Sequence, residues 1–169
     1  SSTSIKINAL NDSNFKRAID VCLGTNPVDG KCIGSPYGEM PDWDVSAVTA
    51  MNRAFVESAF NADISSWDVS NVTNMSAMFA SAVNFNADIK DWNMNSVTDM
   101  SLMFSTSNKF NRDISLWDVS SVTNMYAMFD GASSFNQNIG SWDVSKVTNM
   151  YNIFVGASLS TANYDALLN

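Results

Sequence analysis

The chain contains no histidine, which removes the commonest general base and the commonest metal-binding side chain at one stroke. Glutamate is nearly missing as well, present only at Glu39 and Glu57. No apolar run approaches the roughly 20 residues that a membrane-spanning helix needs, and nothing near Ser1 has the pattern of a signal peptide. No glycine-rich phosphate loop and no nucleophile motif occurs. Bases are few, 9 Lys and Arg against 17 acids, giving a net charge of −8. Nucleic acid is therefore excluded as a partner, since its affinity rests on cations that neutralise phosphates. An acidic surface suits cations or basic partners instead. There are two cysteines, Cys22 and Cys32, too few for a disulfide framework but enough for one staple in an irregular, apolar-poor segment. A bond between them would imply an oxidising compartment; the alternative is two free thiols inside a cell.

What the chain does have is enough apolar residue for a core, 46% of 169 residues, and a strict period. Trp43, Trp67, Trp92, Trp117 and Trp142 are spaced 24, 25, 25 and 25 apart. Three further columns move with them: Thr49, Thr73, Thr98, Thr123, Thr148; Met51, Met75, Met100, Met125, Met150; and Phe55, Phe79, Phe104, Phe129, Phe154. A fixed period in this range marks units that bury their apolar faces only against their neighbours.

Each unit reads in two halves. Met75, Met78, Phe79, Ala82 and Phe85 fall at i, i+3, i+4, i+7 and i+10, one face of a short helix. Ile64-x-x-Trp67-x-Val69 has the L-x-x-L-x-L spacing of a leucine-rich-repeat strand, with Trp67 and Val69 inward and Asp68 outward. The expectation is a leucine-rich-repeat-type α/β solenoid of about five 25-residue coils, with short parallel strands on one face and short helices opposite. Its ends are capped: residues 1–39 as an N-terminal helix plus disulfide loop, 40–158 as the five coils, and 159–169 as a C-terminal cap. The first helix is expected over residues 11–23, with Asp12 or Ser13 as cap, Phe15, Ala18, Ile19 and Cys22 on one face, and Gly24 as its stop. The last is expected after Ser160 or Thr161, carrying Tyr164, Leu167 and Leu168. End coils, flanked on one side only, should tolerate truncation better, so Trp92→Ala is expected to cost more than Trp43→Ala. The polar start and abrupt finish suggest a piece of a longer precursor.

The repeated phrases FNADISSWDVSNVTNMSAMF and FNRDISLWDVSSVTNMYAMF resemble the BspA-like surface-protein repeat, a leucine-rich-repeat relative. The tail LSTANYDALL is similar to the way such arrays end. The resemblance spans about residues 40–168, with departures at Arg53-Ala54 and at Asn93-Met94-Asn95. It implies a secreted or surface-anchored protein used in adhesion or partner binding, and no particular ligand.

Two columns are candidate contact faces. Asp44, Asp68, Asn93, Asp118 and Asp143 form a candidate partner or cation face, where Ca2+ is the possible ion; no other cofactor is expected. Carboxylates about 5 Å apart repel by about 0.8 kcal/mol in bulk water. That repulsion is offset if each Asp instead accepts N–H bonds at its own corner. Asp63, Asp88, Asp113 and Asn138, which follow Asn61, Asn86, Asn111 and Asn136, read mainly as corner residues. Thr49, Thr73, Thr98, Thr123 and Thr148 form a candidate flat surface column that could match ice or a mineral lattice, or simply suit the backbone. The ten Met read as core filling, not as metal ligands. No catalytic residues are expected: every unit carries the same Asp, whereas a catalytic pair needs two carboxylates in different environments. The partners expected are a protein or glycan on a cell or matrix surface, or an ice or mineral surface.

Overall fold

The computed structural model describes residues 9–167. Regular elements lie only toward its ends. Strand β1 (Ala9–Asn11) pairs in parallel with β2 (Asp44–Ala47), and between them run helix α1 (Phe15–Thr25) and a 3-10 turn at Met40–Asp42. Helix α2 (Thr161–Ala166) comes last. Between 48 and 160 there is no helix and no strand, only turns, irregular chain and single bridges.

This overturns the expected leucine-rich-repeat-type α/β solenoid. Five coils of strand and helix do not form, and the chain is mostly turn and loop. The reason lies in how each unit spends its backbone hydrogen bonds. The stretch expected to be a helix, 75–85, uses every second N–H from 75 to 81 to reach the next unit. Met75, Ala77, Phe79 and Ser81 donate to the carbonyls of Asp99, Ser101, Met103 and Ser105 at 2.7–3.0 Å. The N–H groups between them close short turns, Met78 to Met75, Ala80 to Ala77 and Ala82 to Phe79. An α-helix keeps all these bonds to itself and would leave the units joined by side chains alone. Two positions per unit are also left-handed, Ala77 and Ser81 here (φ 52° and 57°), Leu102 and Thr106 in the next unit. A left-handed residue at the third place of a turn is what the turn needs and what a right-handed helix excludes. The i, i+3, i+4 spacing arises because the first and fourth residues of each turn both point inward.

The expected strand fails in a similar way. Ile64-x-x-Trp67 and Val69-x-x-Val72 are closed by Trp67 N–H to Ile64 O (3.2 Å) and Val72 N–H to Val69 O (2.9 Å). Outside β2, which forms in the first unit alone, only one residue per unit keeps a ladder geometry: Ala50, Asn74, Asp99, Asn124 and Asn149 form successive parallel bridges.

Side chains fix the register that the bridges begin. Phe79 stacks on Phe104 at 5.7 Å and Phe104 on Phe129 at 5.7 Å, while Phe85, Phe110 and Phe135 form a second column beside them. The indole N–H of Trp92 donates to Ile64 O, of Trp117 to Ile89 O and of Trp142 to Ile114 O, at 3.0–3.1 Å. Each tryptophan thus bonds the carbonyl of the equivalent turn one unit earlier, a task phenylalanine cannot perform. The methionines at 75, 78, 100, 103, 125 and 128 are fully buried among these rings, as core filling requires.

Helix α1 closes the first unit with the face expected, Phe15, Ala18, Ile19 and Cys22 all buried, and Cys22 is disulfide-bonded to Cys32. Its ends differ from expectation. Asn14 precedes it without a side-chain cap, because its Oδ1 accepts Asn11 N–H at 2.8 Å, and Asp12 is engaged elsewhere. At the other end Ser160 caps α2 through Asn163 N–H (3.2 Å), and Leu168 lies outside the described residues. Gly140 lets α2 approach: a Cβ there would sit 2.3 Å from Ala166 O, where the other units carry Ser65, Lys90 and Ser115.

Candidate functional site

The candidate surfaces are the columns that face solvent. Thr49, Thr73, Thr98, Thr123 and Thr148 are all exposed and follow one bonding rule. The N–H of Thr73, Thr98, Thr123 and Thr148 each donates to the preceding threonine carbonyl at 2.8–2.9 Å. Their hydroxyls point to the same carbonyls at 3.1–3.3 Å. Each hydroxyl is thereby held in one orientation, so the exposed column repeats one arrangement.

The first threonine has no predecessor, and Asp12 supplies the missing acceptor. Its Oδ1 accepts the N–H of Thr49 (2.7 Å) and Ala50 (3.2 Å), and its Oδ2 accepts the Thr49 hydroxyl (2.6 Å). In later units one backbone oxygen does this work, as Thr49 O does for Thr73 and Asn74. The Thr49 hydroxyl and N–H hold the Asp12 carboxyl below its ordinary value. A depressed folded value contributes stability above the unfolded value, and that contribution is lost as pH falls through the folded one. Asp12→Ala is therefore expected to lower stability by about 1–2 kcal/mol at neutral pH, the loss of charge-assisted bonds at an exposed site. The difference from the parent should shrink as pH falls below about 4. Parallel urea titrations across pH check both; a pH-independent difference would mean that the carboxylate charge is not involved.

The aspartate column is exposed too, and each member bonds locally. Oδ1 of Asp44, Asp68, Asp118 and Asp143 accepts the N–H of the serine two residues on at 3.0 Å, and Oδ1 of Asn93 accepts Asn95 N–H at 3.2 Å. The serine hydroxyl and N–H lower all four carboxyls; repulsion from Asp44 raises Asp68 only as the smallest contribution. The corner role weighed from the sequence is what these side chains perform. Oδ2 of the four aspartates makes no hydrogen bond among the described residues, and no group of three or more acidic, His or Cys side chains there could hold a metal ion.

At the opposite corner Asp63 and Asp113 accept from Ser65 and Ser115 in the same way. Beside them runs a ladder of asparagines. Asn61, Asn86 and Asn111 each accept, through Oδ1, the N–H of the next asparagine at 2.8–3.0 Å. Asn136 Oδ1 accepts Ser160 N–H at 2.8 Å, and Asn163 Nδ2 donates to both oxygens of Asn136. The signal for it was present: an asparagine in register after Phe60, Phe85, Phe110 and Phe135. A groove crosses this corner between Asp63, Asp88, Lys90, Asp91 and Arg112, polar and open.

A family model described as a Mycoplasma protein of unknown function, DUF285, matches residues 34–116 and again 89–166. The chain belongs to this family. The two DUF285 matches overlap over 89–116 and together take in every repeat, leaving α1 and its disulfide outside. No curated protein and no solved structure matches the chain. No helix among the described residues is long and apolar enough to cross a membrane.

Proposed function

We propose that the chain is a binding or adhesion module, not a catalyst, and that it presents its repeated polar columns to a partner outside the cell. The observation that carries this reading is the fixing of exposed side chains in register: each threonine hydroxyl is tied to the unit before it and each aspartate to its own corner. Groups already ordered lose little further freedom on binding, which favours recognition by a surface without a deep pocket. The Cys22–Cys32 disulfide supports an oxidising compartment. The similarity of W-D-V-S-x-V-T-x-M-x-x-M-F to the BspA-like surface-protein repeat supports a secreted or surface-anchored place. A protein or glycan of a cell or matrix surface is the partner class this reading takes.

The test is a panel of immobilised matrix proteins and glycans, read with the parent chain and with Asp68→Asn/Asp118→Asn. Binding should be saturable, and where the aspartates contribute it should weaken in the variant and with added salt while the fold stays intact. A variant that loses stability with unchanged binding would leave the aspartates with their corner role alone, and an absence of saturable binding across the panel would remove the adhesion reading.

The second reading, an ice- or crystal-surface-binding protein, is favoured by one observation, the exposure of all five threonines in one repeated arrangement. Inhibition of ice recrystallisation that disappears in Thr98→Lys would establish it over the first.

A further inference from the structure

The two ends of the repeat stack are unlike, and they are unlike in a complementary way. Within the chain each unit reaches the next through an arm that donates four N–H groups: residues 51, 53, 55 and 57 to the carbonyls of 74, 76, 78 and 80, then 75, 77, 79 and 81 to those of 99, 101, 103 and 105, and so on. The pattern occurs at all four junctions. At the last arm Met150, Asn152, Phe154 and Gly156 have N–H groups with no acceptor among the described residues, while the carbonyls of 149, 151, 153 and 155 are taken by the unit before. At the first arm the reverse holds: the carbonyls of Ala50, Asn52, Ala54 and Val56 accept no hydrogen bond from the described residues. One end is a row of donors, the other a row of acceptors.

The side chains agree with the backbone. Residues buried in every inner unit are uncovered in the last: Met150 is 39% exposed where Met125 is 0%, and Val144 is 37% exposed where Val119 is 1%. Helix α2 follows the corner half of the preceding unit, through Ser160 and Asn163, and leaves the arm half open. At the first arm an open groove runs between Phe15 and Lys16 of α1 on one side and Ala50, Asn52, Ala54 and Val56 on the other. The residues that bear the free carbonyls line that groove.

We propose that the C-terminal arm of one molecule docks in the groove beside the first arm of a second copy, extending the stack head to tail. The argument is continuity: the contact would repeat, between molecules, the junction that the chain makes four times within itself. Pairing of two C-terminal faces about a two-fold axis is disfavoured, because it sets donors against donors with no free carbonyl row between them. A head-to-tail contact of this kind does not close on itself and adds copies in series.

The test is sedimentation of the 169-residue chain over a range of concentrations, with two variants made at exposed or groove positions. Val144→Lys/Val155→Lys charges the C-terminal face, and Lys16→Trp fills the groove. The parent is expected to show an average mass that climbs past the dimer. Each variant alone should remain monomeric to at least tenfold higher concentration, and an equal mixture of the two should form a dimer and stop there. In the parent, amide exchange at Met150, Asn152, Phe154 and Gly156 should slow on association. A parent that is monomeric up to roughly 1 mM overturns the proposal, that concentration being the edge of any specific contact. So does a plateau at dimer abolished by the C-terminal variant with no dimer in the mixture, which means two-fold pairing. Association that leaves those four amides fast overturns it too, since the contact is then side-chain adhesion alone. Normal circular dichroism of both variants keeps a failure to associate distinct from a failure to fold.

Discussion

Phe104→Ala will lower the stability of the chain by about 3–5 kcal/mol, and Phe154→Ala by less than half of that. The two residues hold the same place in their units and differ in what surrounds them. Phe104 is fully buried and stacks on Phe79, Phe110, Phe129 and Trp117. Phe154 stacks on Phe129 alone and is only half-buried. A truncated ring in the middle leaves a cavity that rigid neighbours on both sides cannot close, whereas at the last arm the void opens to water. Denaturant midpoints of the two variants and the parent check this. Equal losses would show that the last arm is as firmly held as the inner ones, which its exposure argues against.

The sequence marks both ends of the array as soft, and the structure separates them. Trp43, in an end unit where truncation is expected to cost less than at Trp92, is 4% exposed, the same as Trp92. It lies between Tyr37 and Trp67 and donates its indole N–H to Gly38 O at 3.2 Å, so the tryptophan side of the first unit is covered even though its arm is open.

Opening the Cys22–Cys32 bond will be the other large loss, about 2–3 kcal/mol for the short loop it closes. Both sulfurs are buried, and the bond ties the second half of α1 to the loop of residues 26–39 that carries Tyr37 and leads into the first unit. Alkylation without reductant should add nothing to the native mass. Cys22→Ala/Cys32→Ala should lower the denaturant midpoint and quicken amide exchange in α1 before it does so at Phe104. Uniform loosening along the whole stack would mean that α1 and the repeats unfold as one unit. A native mass with two alkylated thiols would remove the bond and, with it, the main support for an extracellular place.

The sequence was informative about which residues meet and misleading about how the backbone carries them. Period, columns and inward-facing residues follow from side-chain type alone, and Met75, Met78, Phe79, Ala82 and Phe85 are all buried as their spacing implied. The same spacing could not separate a helix from a run of turns, because both bring i, i+3 and i+4 to one side. What decides it is the left-handed backbone at Ala77, Leu102, Ala127 and Asn152, and only the last of these is a residue type that advertises it. Glycine at 131 and 156, aligned with Ser81 and Thr106, was the available hint. The candidate columns fared better. Exposure of both was legible from their alternation with Trp, Val and Met. The tie from each threonine to its predecessor was not, because it depends on the neighbouring unit's carbonyl and not on any local motif.

In the threonine, asparagine and tryptophan ladders, each side-chain bond from one unit to the next spans between 24 and 28 residues. The terminal devices, Asp12 at Thr49 and Asn163 at Asn136, imitate what a neighbouring unit would offer and take no account of how many units lie between them. Duplicating or deleting 75 nucleotides of coding sequence in the interior of the gene would therefore return each ladder to register with both ends intact. The length of the array is set by inheritance, not by the physics of the fold, and copy number can vary where substitution in the core cannot.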